Sequence, residues 1–117
     1  MNTIESVINK YFNAYMQADS EMILEAFHPE TRLYSVDAGK LDKTEMSDWV
    51  LNLKSRKEKG DIRNGILNIL SVDTQSDTAV AKIKIKLPTA EFTDFLSLLK
   101  IDETWKIVGK IYSVKSS

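Results

Sequence analysis

The chain of 117 residues contains no cysteine, a single histidine and almost no net charge, and each scarcity excludes a class of function. Without cysteine there is no disulfide and no thiolate nucleophile, which fits a cytoplasmic protein. With only His28, a metal site built from several histidines is excluded, and we expect neither a metal nor a cofactor. The net charge of -1 gives no general attraction to nucleic acid. No run approaches the ~20 apolar residues of a membrane span, so we expect no membrane partner.

The length is that of one ordinary domain, and its first part carries helical patterns. Asn2 and Glu5 have the spacing of a capping box ahead of apolar residues three and four positions apart, which predicts a first helix. Asp19 and Ser20 interrupt that pattern and predict the cap of a short second helix. This second helix should end before Pro29. We therefore predict a single domain, residues 1–117, that begins with two helices.

One further helix is predicted before the pattern changes. Residues 31–36 favour a short strand, and Asp42 and Glu45 then repeat the capping spacing. An apolar stripe at helical spacing follows until charged residues and Gly60 end it. We predict a third helix over this stretch.

The second half of the chain is rich in β-branched and apolar residues and predicts four strands. Their ranges are 62–73, 78–87, 91–101 and 104–114. Short polar turns such as Asp102-Glu103 separate them, which favours antiparallel pairing. Ala79, Ala81 and Ile83 alternate with more polar residues, as in a sheet with one buried face. Helices followed by such a sheet predict an α+β fold, in which a curved antiparallel sheet wraps around the N-terminal helices.

The order of elements resembles the nuclear transport factor 2-like superfamily, whose members form a cone. The motifs that carry the likeness to its lumazine-binding branch are Phe27-His28-Pro29, Phe92-Thr93-Asp94-Phe95-Leu96, Leu98-Leu99-Lys100-Ile101-Asp102 and Trp105-Lys106-Ile107-Val108. The resemblance covers nearly the whole chain. One departure is Glu103, which stands where that branch usually has glycine. A turn that needs positive φ would be strained there.

The same superfamily includes ketosteroid isomerase, polyketide cyclases and dehydratases, and the resemblance to the isomerase implies where catalytic groups would lie. Tyr11, eight residues before Asp19, matches a tyrosine that donates a hydrogen bond to an oxyanion. Ser35, eight residues after Phe27, occupies the position of the general base, and serine cannot act as that base. Ser97 falls at the position of a protonated aspartic acid. Two of the three groups are replaced, so isomerase chemistry is not expected.

A small-molecule pocket inside the cone is the favoured hypothesis. Tyr11 and Tyr15 share one face of the first helix, and Trp49 lies on the apolar stripe of the third. Ser97 and Asp37 are the further candidates for ligand binding, and if Ser97 points inward, Asp94 points outward. The alternative is that the tyrosines and Trp49 are ordinary core residues.

The outer face of the sheet is expected to combine lysines with apolar side chains. The lysines are Lys82, Lys84, Lys86, Lys100, Lys106 and Lys110, and the apolar residues are Val80, Val108, Tyr112 and Val114. A solvated face is favoured over a nucleic-acid surface. Its apolar members predict a homodimer joined through this face.

Three functions remain open at this point. The favoured one is a noncatalytic protein that binds an unknown small molecule, with Tyr11 and Tyr15 as hydroxyl donors. The second is an isomerase, dehydratase or cyclase-like enzyme that uses Tyr11 as electrophile and either Asp37 or His28 as acid or base. The third is a noncatalytic homodimeric interaction module.

Overall fold

The computed structural model describes residues 1–116, which form three helices packed against one mixed six-stranded sheet. The elements are α1 (Ile4–Gln17), α2 (Ser20–Ala26), β1 (Arg32–Asp37), β2 (Lys40–Glu45), α3 (Met46–Glu58), β3 (Ile66–Gln75), β4 (Thr78–Lys86), β5 (Ala90–Ile101) and β6 (Thr104–Ser116). The strand order is β2-β1-β6-β5-β4-β3. This arrangement confirms the predicted α+β fold with a curved sheet around the helices. Of the helices described, none is long and apolar enough to cross a membrane.

The four predicted late strands are confirmed as an antiparallel meander, and the first strand adds a parallel pair. β3, β4, β5 and β6 pair in sequence order. β1 returns to lie parallel to β6, with Leu33 opposite Lys110. The helices cover one face, where Ala79, Ala81, Ile83 and Ile85 are buried as their alternation predicted.

The start of α1 is capped by residues other than the predicted pair. Thr3 is the N-cap, and it exchanges hydrogen bonds with Ser6 at 2.8 and 3.0 Å. The prediction of an Asn2–Glu5 box is wrong because the Asn2 side chain accepts a hydrogen bond from the backbone of Trp105 at 2.7 Å instead. The cap predicted at Asp19 is confirmed, since its carboxylate accepts from the backbone of Met22 at 3.0 Å. The N-terminal segment is thus anchored to β6.

Strand β2 was not predicted from the sequence. It pairs with β1 from Arg32 opposite Glu45 to Asp37 opposite Lys40. Its side chains are exposed or half-buried, so it lacks the alternation that marks a strand with one buried face. The capping role predicted for residues 42 and 45 is wrong, because α3 starts at Met46 and its N-cap, Glu45, makes no side-chain hydrogen bond to the helix.

A β-bulge in β6 decides which of its side chains face the helices. The pairing of β5 with β6 shifts between Ser97 opposite Gly109 and Leu98 opposite Ile107, which leaves Val108 as an extra residue. An inserted residue reverses the facing of every side chain beyond it. Lys110 is therefore buried, and Tyr112 packs beside it on the helix side. Their predicted place on the outer face is wrong, since strict alternation did not allow for the bulge.

The hairpin between β5 and β6 offers a test of backbone strain. Asp102 and Glu103 have φ values of 49° and 64°, a left-handed conformation that costs most residues roughly 1 kcal/mol. We predict that Glu103→Gly raises the free energy of unfolding by about 0.5–1 kcal/mol in urea denaturation. Glu103→Ala is the control, because it also removes the exposed ion pair with Lys100 but keeps a Cβ atom. An equal gain in both variants would contradict the assignment to backbone strain.

Candidate functional site

A pocket of about 370 Å³ lies between α1, α3 and the inner face of the sheet. Its lining residues are Tyr11, Tyr15, Leu33, Thr44, Asp48, Trp49, Asn52, Phe92, Lys110 and Tyr112. Three of the residues predicted from the sequence, Tyr11, Tyr15 and Trp49, therefore share one pocket.

Aromatic rings hold one another in place along the pocket walls. Tyr11 meets the ring of Phe27 edge-on at a centroid distance of 5.0 Å, and Phe27 meets Trp49 in the same way at 5.1 Å. Further along α1, Tyr15 packs edge-on against Phe92 of β5 at 5.9 Å. Such edge-to-face pairs add about 0.5–1.5 kcal/mol each beyond their buried area. The walls thus combine mutually packed rings with a few polar side chains, as in small-molecule pockets.

At the pocket, three polar side chains from three elements form a hydrogen-bonded chain. The Lys110 amine donates to the Tyr11 hydroxyl at 2.7 Å, and that hydroxyl donates to Oδ2 of Asp94 at 2.6 Å. Lys110 Nζ lies 3.8 Å from the same carboxylate oxygen. The two charged residues are almost fully enclosed, with exposures of 7% for Lys110 and 0% for Asp94. We call this chain the Lys–Tyr–Asp network.

The position of Asp94 reverses the facing that was predicted for β5. Asp94 is buried together with Leu96 and Leu98, whereas Phe95 and Ser97 are exposed. Asp94 and Ser97 do face opposite sides of β5, as their alternation predicted, but Asp94 and not Ser97 points towards the helices. Among residues 1–116, Oδ1 of Asp94 finds no hydrogen-bond partner. A buried carboxylate with one free oxygen depends on its remaining partners, here Tyr11 and Lys110.

Burial sets the proton affinities in the network. Loss of solvation lowers the pKa of the Lys110 amine, and the nearby Asp94 carboxylate offsets part of that effect. Burial also raises the pKa of Tyr11 well above its usual value, and the charge of Asp94 adds to it. Tyr11 consequently remains a hydrogen-bond donor, while Lys110 reaches its neutral, nucleophilic form at lower pH than an ordinary lysine.

The Lys110 amine is also surrounded by aromatic rings. Its nitrogen lies 4.9 Å from the ring centres of Tyr11 and Trp49 and 4.8 Å from that of Tyr112. Contacts of this kind stabilise the charged form of an amine. Lys110 is thus held between groups that favour its charge and a burial that opposes it.

A second polar cluster flanks Tyr15. The Tyr15 hydroxyl accepts a hydrogen bond from Nη1 of Arg63 at 2.7 Å. The guanidinium carbons of Arg56 and Arg63 lie 5.1 and 5.3 Å from the centre of the Tyr15 ring. Both guanidinium groups approach Asp61, at 3.4 Å each. Tyr15 therefore joins the pocket wall to this cationic cluster.

The remaining predicted residues lie elsewhere. Ser97 borders a depression on the outer face of the sheet, and Asp37 borders another beside the β1–β2 hairpin. His28 is outside the pocket lining, and its Nδ1 accepts a hydrogen bond from the backbone of Glu30 at 3.1 Å, as expected for a residue in a turn. The structure thus brings Tyr11, Tyr15 and Trp49 together and separates Ser97 and Asp37 from them.

Sequence reasoning missed the two charged members of the network. Asp94 could have been found, because it shares its parity along β5 with Leu96 and Leu98, both of which are buried. Lys110 carries no such signal, since the bulge that turns it inward is a property of strand pairing.

Comparisons with known proteins agree with this architecture. A nuclear transport factor 2-like protein of unknown function from Silicibacter pomeroyi superposes with a TM-score of 0.84, at 20% identity over 96% of this chain and 92% of that one. Another such protein, from Shewanella baltica, superposes with a TM-score of 0.78, at 26% identity over 97% of this chain and 92% of that one. A ketosteroid isomerase-like protein from Erwinia carotovora atroseptica superposes with a TM-score of 0.74, at 16% identity over 97% of this chain and 95% of that one.

Sequence comparison adds one curated protein and one family. A protein named "Aldolase FrzH" from Cladobotryum sp. is 24% identical over 102 residues, which cover 87% of this chain and 81% of that protein. The model of the family described as "Putative lumazine-binding" matches residues 1–113. The chain therefore belongs to this family, within the nuclear transport factor 2-like superfamily.

Proposed function

We propose that the protein transforms a small carbonyl compound in its pocket, with Lys110 as the amine that forms an imine with it. The observation that carries the proposal is an almost fully buried lysine that lines a pocket and is bonded through Tyr11 to Asp94. Lysines with lowered pKa in desolvated sites are the ones that form Schiff bases in enzymes. The similarity to a protein named aldolase supports the same class of chemistry.

The network supplies a route for the proton that the Lys110 ammonium must lose before its nitrogen can attack a carbonyl carbon. The Lys110 ammonium passes a proton to the Tyr11 hydroxyl, which passes its own to Asp94. The neutral amine then attacks the carbonyl carbon, and its proton moves to the carbonyl oxygen to give a carbinolamine. Asp94 returns the stored proton through Tyr11, the C–O bond breaks, and water leaves. Ammonium and carbonyl have become iminium and water, so the positive charge beside Asp94 is conserved.

The iminium then serves as an electron sink. The carbon next to the iminium gives a proton to the Asp94 carboxylate through Tyr11, which leaves an enamine. The enamine can form a bond to the carbonyl carbon of an aldehyde, whose oxygen takes that proton back and becomes a hydroxyl. Reversal of these steps cleaves a β-hydroxy ketone, and hydrolysis of the iminium frees Lys110 again. Because Asp94 is enclosed and acts through Tyr11, it is a positioning residue in this scheme.

A noncatalytic binding protein is the second candidate. The three rings around Lys110 and its ion pair with Asp94 favour the charged amine. A lysine that stays charged would hold a ligand oxygen by a hydrogen bond without attacking it. In this alternative the pocket binds a small molecule and releases it unchanged.

We also propose that two copies of the chain associate through the outer sheet face. Three neighbouring apolar side chains are exposed there: Val80 by 57%, Phe95 by 49% and Ile111 by 56%. Phe95 lies opposite Ile111 in the β5–β6 ladder. A contiguous exposed apolar patch is typical of an interaction surface, and a twofold dimer covers both copies at once.

Imine formation predicts a selective chemical label. When the protein is incubated with benzaldehyde or 2-hexanone and cyanoborohydride near neutral pH, Lys110 should be alkylated before other lysines because its neutral fraction is larger. Peptide mapping by mass spectrometry locates the label. Lys110→Arg should abolish it, whereas the matched surface variant Lys84→Arg should not. Labelling of surface lysines alone would favour the noncatalytic candidate.

The pH dependence of labelling tests the role of Asp94. Its carboxylate raises the pKa of Lys110 against the larger effect of burial, so Asp94→Asn should lower that pKa further. The midpoint of the plot of labelling rate against pH should move to lower pH. Asp48→Asn, which changes an exposed carboxylate of the pocket lining, is the control and should leave the midpoint nearer that of the parent protein. A shift to higher pH in Asp94→Asn would contradict this account.

The dimer is tested by light scattering at ~100 μM, a concentration above the dissociation constants of many modest interfaces. The parent protein should have the mass of a dimer. Phe95→Glu should reduce that mass to a monomer's, because it places two like charges in an apolar contact. Leu51→Glu, an equally polar change at an exposed site on α3, should leave the dimer intact. A monomeric parent protein would refute the proposal.

A further inference from the structure

The cationic cluster at Tyr15 has more positive charge than its carboxylate neutralises. Arg56 and Arg63, which we call the arginine pair, share the single carboxylate of Asp61. The Asp61 side chain is 43% exposed, so water weakens its contribution. The cluster therefore retains a positive charge next to a pocket wall.

Arg56 also has a hydrogen-bond donor that is not used. It is only 6% exposed, and its Nε lies 3.4 Å from Oδ2 of Asp61, but among the described residues its Nη1 has no hydrogen-bond partner. A buried guanidinium with free donors is costly unless an acceptor is supplied. Burial and the charge of Arg63 both lower the pKa of Arg56, and the single Asp61 carboxylate offsets only part of that effect.

Polar residues along α3 make the two ends of the pocket differ in charge. Asp48, Asn52 and Arg56 are four residues apart and thus lie along one side of the helix, and the first two line the pocket. A negative group would be repelled by Asp48 and attracted by Arg56. An anionic ligand should therefore point its charge towards the Tyr15 end.

We propose that the arginine pair binds a carboxylate at one end of the pocket's ligand, with Arg63 as the direct contact. The inference rests on the proposed function for the other end, where Lys110 meets the carbonyl carbon. Guanidinium groups match carboxylates in shape and donor spacing. Tyr11 and Tyr15, whose ring centres are 6.5 Å apart, separate the two ends. The substrate class is thus an oxo acid whose carbonyl and carboxylate are several bonds apart.

A purely structural role for the cluster makes a different prediction. Nη2 of Arg56 donates to the backbone oxygen of Asp61 at 3.1 Å, which ties the segment after α3 to the helix. If this were the whole role, changing the arginine pair would alter stability but leave the preference between ligands unchanged.

The test compares 5-oxohexanoate with 2-hexanone, which has the same carbon chain without the carboxylate. In cyanoborohydride labelling of Lys110, we expect half-saturation at about 10- to 100-fold lower concentration for the acid, the usual effect of charged hydrogen bonds. Arg63→Gln should remove the preference by raising the half-saturating concentration of the acid towards that of 2-hexanone. Arg63→Lys should restore part of it. Arg32→Gln, on the exposed β1–β2 hairpin, is the matched control.

A binding measurement separates failure of this inference from failure of the proposed function. The double variant Lys110→Met with Asp94→Asn removes both buried charges together and cannot form an imine. Calorimetry should still detect binding of 5-oxohexanoate to this double variant. That binding should be lost when Arg63→Gln is added to it. If no ketone labels Lys110 but this binding persists, the anion site stands and the imine proposal fails. Equal affinity for acid and ketone, or tighter binding of a phosphonate analogue, would overturn the carboxylate assignment.

Discussion

The buried ion pair of Lys110 and Asp94, connected by Tyr11, is the interaction on which the pocket depends. It joins α1, β5 and β6 at one point. Two charges removed from water are costly, and loss of one partner typically destabilises a protein by roughly 3–5 kcal/mol. Three apolar side chains of the same volume would fill the same space with a smaller desolvation penalty. The fold instead keeps an amine against a cavity, which is the arrangement that the proposed imine chemistry requires.

The bulge at Val108 makes this arrangement geometrically available. Without the extra residue, the alternation that buries Ile107 would point Lys110 to the outer face. β-Bulges are common beside functional sites because they redirect side chains without disturbing the rest of a sheet. Here a single inserted residue moves Lys110 and Tyr112 from the outer face, where the dimer is proposed, into the pocket.

These features also explain how far the sequence could be interpreted. Hydrophobic periodicity predicts the four late strands and the shared helix face of Tyr11 and Tyr15. Both features depend on which side chains are buried, and burial leaves a local pattern in the sequence. The polar edge strand β2 buries too little to leave such a pattern, and the bulge depends on pairing between β5 and β6. Ser97 was predicted from the resemblance to the isomerase, and a shift of one residue in that comparison selects the opposite face of the strand. The ligand-binding roles of Ser97 and Asp37 remain predictions.

The protonation state of Lys110 is the central quantity, and NMR titration of the protein with 13C-labelled lysine measures it most directly. The account predicts one lysine Cε resonance that titrates at lower pH than the others and that is absent from Lys110→Arg. The pKa of this resonance should change when Tyr11 is replaced by Phe. If every lysine resonance titrates together at the ordinary pKa, Lys110 is a fully charged structural group. The amine would then not be the reactive centre of this pocket.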